Sequence, residues 1–438
     1  MLALRLHPIN TFLIKTLTPM LIVGVTLSSN SYAEQMPIVE NLIAKTINQH
    51  PSVLVEKATK EATEIDIDVA KKQRYPKLEV QSNVAGYTTS TNPSNGLNNG
   101  LNTVLSIEQP LWTFGKLEAG IDSALATNEA QDARINEIKY ELALRALDAW
   151  QELVFATERM KELEITLNKL NEYLGLMERR VESRVSPEIE LVLIGARNAQ
   201  TNDDLQQAKA ARGVALSKLE RLTGEDRSAL EMLDTMSLTD LYAINKAQLR
   251  KDVLSEIDNS LNRHPSILKA SQQAEALTQQ LNAKKAARFP EIYARAQSTL
   301  SADSNSTNNQ GIFLGVRYQP GNGFSTNDIA RSAEARVTSQ QQAIEVVKRD
   351  ISNLIGVDYE NMSNAITRVE TLQRAKENSY EVFASYERQF AAGRRTWQDV
   401  LNAVRENSDN RVALANAKAT ALAAAYRIRI RMSDLDWQ

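Results

Sequence analysis

Few residues of this chain have the types and spacing that catalysis or ligand binding needs. Of three histidines, His50 and His264 stand directly before Pro51 and Pro265 at equivalent points of an internal repeat. That placement suits a helix start better than a ligand sphere or a general base. Cysteine is absent, which removes thiol nucleophiles, thiolate metal sites and disulfides. No P-loop, G-x-S-x-G or H-E-x-x-H motif occurs, and no carboxylate pair sits in a Gly-rich setting. The sequence therefore predicts no enzyme, no cofactor and no resident metal. Trp112, Phe114, Tyr293 and Tyr318 lie near the ends of short alternating segments, where they suit an interfacial girdle or core packing.

The elements that carry these residues come in two copies. Ile47 to Pro76 and Leu261 to Pro290 agree at ten of thirty positions without a gap. A period this long marks one duplicated unit rather than a solenoid of small repeats. The 438 residues include 5% aromatics, 16 Gly and 11 Pro, with a net charge of −3 and interspersed signs. This is long-helix composition, with no basic face for nucleic acid. Residues 1–33 read as an export signal, with Arg5 and Lys15 ahead of the apolar run Leu17 to Leu27 and a small-x-small site at Ser31-Tyr32-Ala33.

After each copy the period changes from helical to alternating. Residues 77–87 and 101–111 form one expected hairpin around the polar loop Thr91 to Gly100; residues 291–300 and 311–319 form the second around Ser301 to Gln310. Strands of this length cross a bilayer when tilted. Long coiled-coil hairpins follow, at 115–222 and 327–434. The first seam runs through Leu142, Ala146, Ala149, Leu153, Ala156, Met160, Leu163, Leu167, Leu170, Leu174, Met177 and Val181 in steps of four and three, the 3.5-residue period of a coiled coil. The last helix carries an alanine-rich seam that includes Val400, Ala403, Leu414, Ala417, Ala421, Ala424, Ile428 and Leu435. The expected organisation is a first repeat at 34–224, an irregular equatorial segment at 225–251 and a second repeat at 252–438.

Four strands cannot close a barrel, and an open edge in lipid leaves backbone groups unsatisfied at several kcal/mol each. Oligomerisation is the way out. Two copies would give a barrel filled by its own side chains, whereas three give twelve strands and a lumen. The competing expectation is a periplasmic coiled-coil adaptor or scaffold without a pore, although two equivalent strand pairs argue against it.

The chain resembles the TolC family of trimeric outer-membrane channels for efflux and type I secretion. The resemblance is carried by His50-Pro51 and His264-Pro265, by Arg74-Tyr75-Pro76 and Arg288-Phe289-Pro290, by the run Gln109 to Gly115, and by Gly393 to Leu401. It implies a mainly α fold with a β-barrel part: a duplicated helix-strand-strand-helix-helix unit whose homotrimer builds a twelve-stranded outer-membrane barrel continued by a twelve-helix tunnel. It also implies outer-membrane lipid around the strands, a periplasmic adaptor, and an inner-membrane ABC or proton-driven transporter as partners. Matched motif to motif, Arg395 and Asp399 fall on the family's gate arginine and first ring aspartate, and Glu190 on the acidic partner in the first hairpin. Two departures stand out. Asn402 replaces a second ring aspartate, so the constriction should be less negative. Arg184 stands where the second tip has Gly393, which leaves open whether both hairpins turn alike. Lacking a cysteine to carry a lipid, the chain leans toward protein secretion over small-molecule efflux.

Overall fold

The computed structural model describes residues 37–84, 101–231, 257–301 and 309–432. The export signal at 1–33, the loop Thr91 to Gly100, residues 302–308 of the second loop, residues 232–251 of the equatorial segment and Leu435 lie outside the described residues.

Each copy of the repeat opens with two helices broken at His-Pro. In the first, α1 (Pro37–Gln49) is followed by α2 (Pro51–Lys72); in the second, α6 (257–263 as described) is followed by α7 (Pro265–Ala286). His50 and His264 are extended, at φ −68 and −66, and cap the following helices. Each Nδ1 accepts the backbone N–H of a serine two residues on, Ser52 or Ser266, at 3.2 Å. Proline at the first helical position gives up a donor that would be orphaned anyway. The shared His-Pro-Ser run is thus a helix cap, and a cap needs the neutral, hydrogen-bond-accepting imidazole.

Past Pro76 and Pro290 the chain becomes extended. The strands β1 (Lys77–Val84), β2 (Leu101–Trp112), β3 (Glu291–Ser301) and β4 (Asn309–Arg317) form one antiparallel sheet in the order β1-β2-β3-β4. Its register sorts the side chains by face. Leu78, Ile107, Ala296 and Ile312 stand opposite one another in one row, and Glu79, Ser106, Gln297 and Gly311 form the adjacent row on the other face. The apolar rows are open, with Ile312 86% and Leu314 75% exposed. β4 ends at Arg317, earlier than the expected 319, because its partner β3 starts only after Pro290 and Arg317 faces Glu291.

The helical hairpins follow each strand pair. α3 (Lys116–Glu182) turns into α4 (Glu188–Thr223), and α8 (Thr326–Ala391) turns into α9 (Trp397–Arg431). At 67 residues, α3 is roughly 100 Å long at 1.5 Å per residue. Leu142, Ala146, Ala149, Leu153 and Ala156 are all buried, as are Leu163, Leu170 and Met177 further along. In α9 the buried seam is rich in alanine, which lets helices approach closely. α3 packs against α4, α2, α7 and α9, and α8 packs against α9 and α7, so the two repeats share one core. At the start of the equatorial segment, Arg227–Glu231 is a short helix, α5. No described helix is long and apolar enough to cross a membrane.

Candidate gate at the coiled-coil tips

The two hairpin tips turn identically. Arg184 and Gly393 both adopt the left-handed conformation, at φ 57 and 69. In the first tip the N–H of Arg184 bonds to the carbonyl of Val181 at 2.9 Å, and that of Val185 to Arg180 at 2.8 Å. In the second, Gly393 bonds to Phe390 at 2.9 Å and Arg394 to Gln389 at 2.8 Å. This is one Schellman-type termination made twice. The question left open by Arg184 is answered: an arginine accepts the glycine conformation, at a strain of about 1–2 kcal/mol.

Counted from these left-handed residues, Glu190 and Asp399 are equivalent, each six positions on. Their surroundings differ because of one residue. Thr396 caps α9: its hydroxyl accepts the N–H of Asp399 at 3.2 Å, and its own N–H donates to Asp399 Oδ2 at 3.2 Å. Hydrogen bonds from Thr396, then the charge of Arg395 with Nη1 3.7 Å away, hold the Asp399 carboxyl below its usual range. Arg395 also lies 4.3 Å over the Tyr386 ring and reaches Gln389 at 3.4 Å.

In the first tip the capping position is Pro187. Proline has neither a side-chain acceptor nor an N–H, so neither half of the capping box can form. Glu190 donates its backbone N–H to Pro187 at 3.0 Å, and its Oε2 is buried without a hydrogen-bond partner among the described residues. Within one chain, then, Arg395 is paired with Asp399, while Glu190 has no ion-pair partner among the described residues. Asn402, one turn beyond Asp399, is exposed.

The tips are held to one another by a core that the sequence reading missed. Leu170, Tyr173, Met177 and Ile194 of the first hairpin pack with Trp397, Val400, Leu401 and Val404 of the second. Trp397 is 1% exposed and meets Tyr173 edge-on at 5.2 Å and Phe390 at 4.9 Å. The Tyr173 hydroxyl donates to Glu387 at 2.7 Å, and Lys169 stands 3.1 Å from the same carboxylate. Burial, then the Glu387 contact, pushes the Tyr173 hydroxyl up and keeps it protonated. Burial alone would raise Glu387, but the bonds from Tyr173 and Lys169 outweigh it and hold the carboxyl down. Tyr173 lies just off the leucine seam and its partner is 214 residues away, so no local spacing could have paired them.

A membrane-type amphipathic sheet, two long coiled-coil hairpins and polar tips define an export channel of the outer membrane. The chain belongs to the outer membrane efflux protein family, whose profile matches residues 42–225 and 257–430. It lies in the outer membrane of Gram-negative bacteria and extends into the periplasm. Outer membrane protein TolC of Salmonella enteritidis is 21% identical over 449 residues, spanning 97% of this chain and 87% of that protein. Among solved structures, the outer-membrane channel OprN superposes with a TM-score of 0.77 at 18% identity, covering 92% of this chain and 91% of its own. The outer membrane protein VceC of Vibrio cholerae gives 0.74 at 17% identity, with coverage of 90% and 95%. The adaptor-or-scaffold alternative is set aside by this family membership.

Proposed function

We propose that three copies of the chain close into a single duct, with twelve strands in the outer membrane and the coiled coils forming a tunnel through the periplasm. The sheet is the observation that carries this reading. Among the described residues β1 and β4 are each paired on one side only, while the apolar rows between them need lipid. Open edges and a lipid-facing surface are compatible only if neighbouring copies pair edge to edge.

At the tunnel end, three copies of Asp399 would ring the bore and favour cations, with Asn402 weakening the ring for divalent ions. Glu190, freed by Pro187, is suited to accept Arg395 from a neighbouring copy and hold the coils shut. Opening would then need that arginine to return to Asp399, the pairing seen within one chain. Energy would come from an inner-membrane ABC or proton-driven transporter reached through a periplasmic adaptor. Secreted polypeptide is favoured over small molecules as cargo, because the chain has no cysteine to carry a lipid.

Two measurements test this. Heat-resistant trimers in the outer-membrane fraction are expected; a soluble periplasmic monomer would sink the duct. Deleting the gene should abolish export of a polypeptide while leaving sensitivity to bile salts and dyes unchanged. The reverse pattern would assign small-molecule efflux.

A further inference from the structure

The apolar face of the sheet ends in an aromatic tier on its periplasmic side. Trp112 pairs with Ile292 and Ile292 with Val316, so this row belongs to the lipid-facing set. Trp112 meets Phe114 edge-on at 6.0 Å, and Phe114 stacks on Phe289 at 5.1 Å. All three are exposed, at 59%, 42% and 54%, as is Tyr75 at 67%. Exposed aromatics continuous with lipid-facing rows occupy the headgroup level of a bilayer.

Cations crowd the same level. Both repeats place a Lys-Lys pair just ahead of Arg-aromatic-Pro: Lys71, Lys72 and Arg74 before Tyr75, and Lys284, Lys285 and Arg288 before Phe289. Four carboxylates near this level are already engaged: Asp328, which lines a cavity with Lys284, stands 3.7 Å from Arg331, and three others have basic partners. Asp68 stands 3.9 Å from Lys71, Glu118 is 3.6 Å from Arg74, and Glu291 is 2.5 Å from Lys116. Lys72, Lys284, Lys285 and Arg288 are exposed and have no carboxylate partner among the described residues. The helix dipole accounts for a cation in the last turn of α2 or α7. It does not account for Arg288, which lies past the helix end beside an exposed Phe289.

We propose that this tier is a binding surface for anionic phospholipid headgroups of the periplasmic leaflet. The aromatic rings sit at the acyl boundary, and the unpaired ammonium and guanidinium groups meet the phosphates one level below. Three copies would present a continuous basic belt and fix the depth of the barrel in the membrane.

Vesicles of equimolar phosphatidylglycerol and phosphatidylcholine, with only one of the two lipids brominated, provide the probe. The full chain is reconstituted, and the signal of Trp112 is isolated by subtracting that of the Trp112→Phe variant. Brominated phosphatidylglycerol is expected to quench Trp112 about fivefold more than brominated phosphatidylcholine, a ratio that corresponds to about 1 kcal/mol shared among the four exposed basic residues. The preference should fall with added salt. Replacing Lys72, Lys284, Lys285 and Arg288 by Gln should bring it to one. Should that variant not form trimers, the Lys284→Gln/Lys285→Gln pair carries the test, with an expected fall to about twofold. Equal quenching in the wild type, or a preference that survives these substitutions, overturns the proposal. Export assays are independent of this readout, so failure here leaves the duct standing.

Discussion

Of the two histidines at the helix starts, the buried one is expected to make stability depend on pH. His264 is 1% exposed, and burial, then the positive Arg431, pushes its imidazole down to about 4 from the usual 6.5. A base depressed in the folded state is charged first in the unfolded chain, so stability is complete above pH 6.5 and declines as pH falls toward 4. The difference corresponds to about 3 kcal/mol per protomer. Thermal unfolding between pH 7 and 4.5 should show that decline, and His264→Asn, which keeps a cap acceptor without a titrating ring, should flatten it. At the gate, Asp399→Asn keeps an acceptor for Thr396 while removing the charge. Reversal potentials in planar bilayers under a salt gradient should shift toward lower cation selectivity; an unchanged potential removes Asp399 from the constriction. The pairing of His with Pro was legible as a helix start. That the imidazole itself is the cap was not, since histidine is not among the usual capping residues.

The tips show how an element tolerates an unfavourable residue. Arg184 carries the strain of a left-handed backbone that Gly393 does not. Arg184→Gly is expected to stabilise the protein by about 0.5–1 kcal/mol, and Gly393→Ala to destabilise it by about 1–2 kcal/mol, both read from urea unfolding. Gain in neither direction would mean that the Schellman bonds, not the residue, set the cost. Pro187→Thr would create Thr-Glu-Ile-Glu, a capping box that should engage Glu190 and add about 1 kcal/mol. The same change should raise single-channel open probability, because the free carboxylate would then be occupied. The leucine and alanine seams were legible because a 3.5-residue period is local. The Tyr173–Glu387 contact and the Trp397 core were not, because they join hairpins from different repeats.

For the assembled molecule, the sheet faces make opposite predictions. Leu314→Arg places a charge on the apolar face and should cost about 2–4 kcal/mol near the bilayer midplane, seen as loss of heat-resistant trimer on unheated gels. Gln297→Arg, on the polar face, should leave the trimer intact. Sequence alone determined the kinds of element, since alternation, heptads and turn residues are patterns between near neighbours, and it determined the duplication. The tertiary structure decided which residues meet across the repeats: that Tyr173 reaches Glu387, that Trp397 packs into one core with the first hairpin, and that four strands form a single sheet with both repeats in register. Such facts depend on contacts between segments about two hundred residues apart, where the chain's local preferences carry no information and packing settles the outcome.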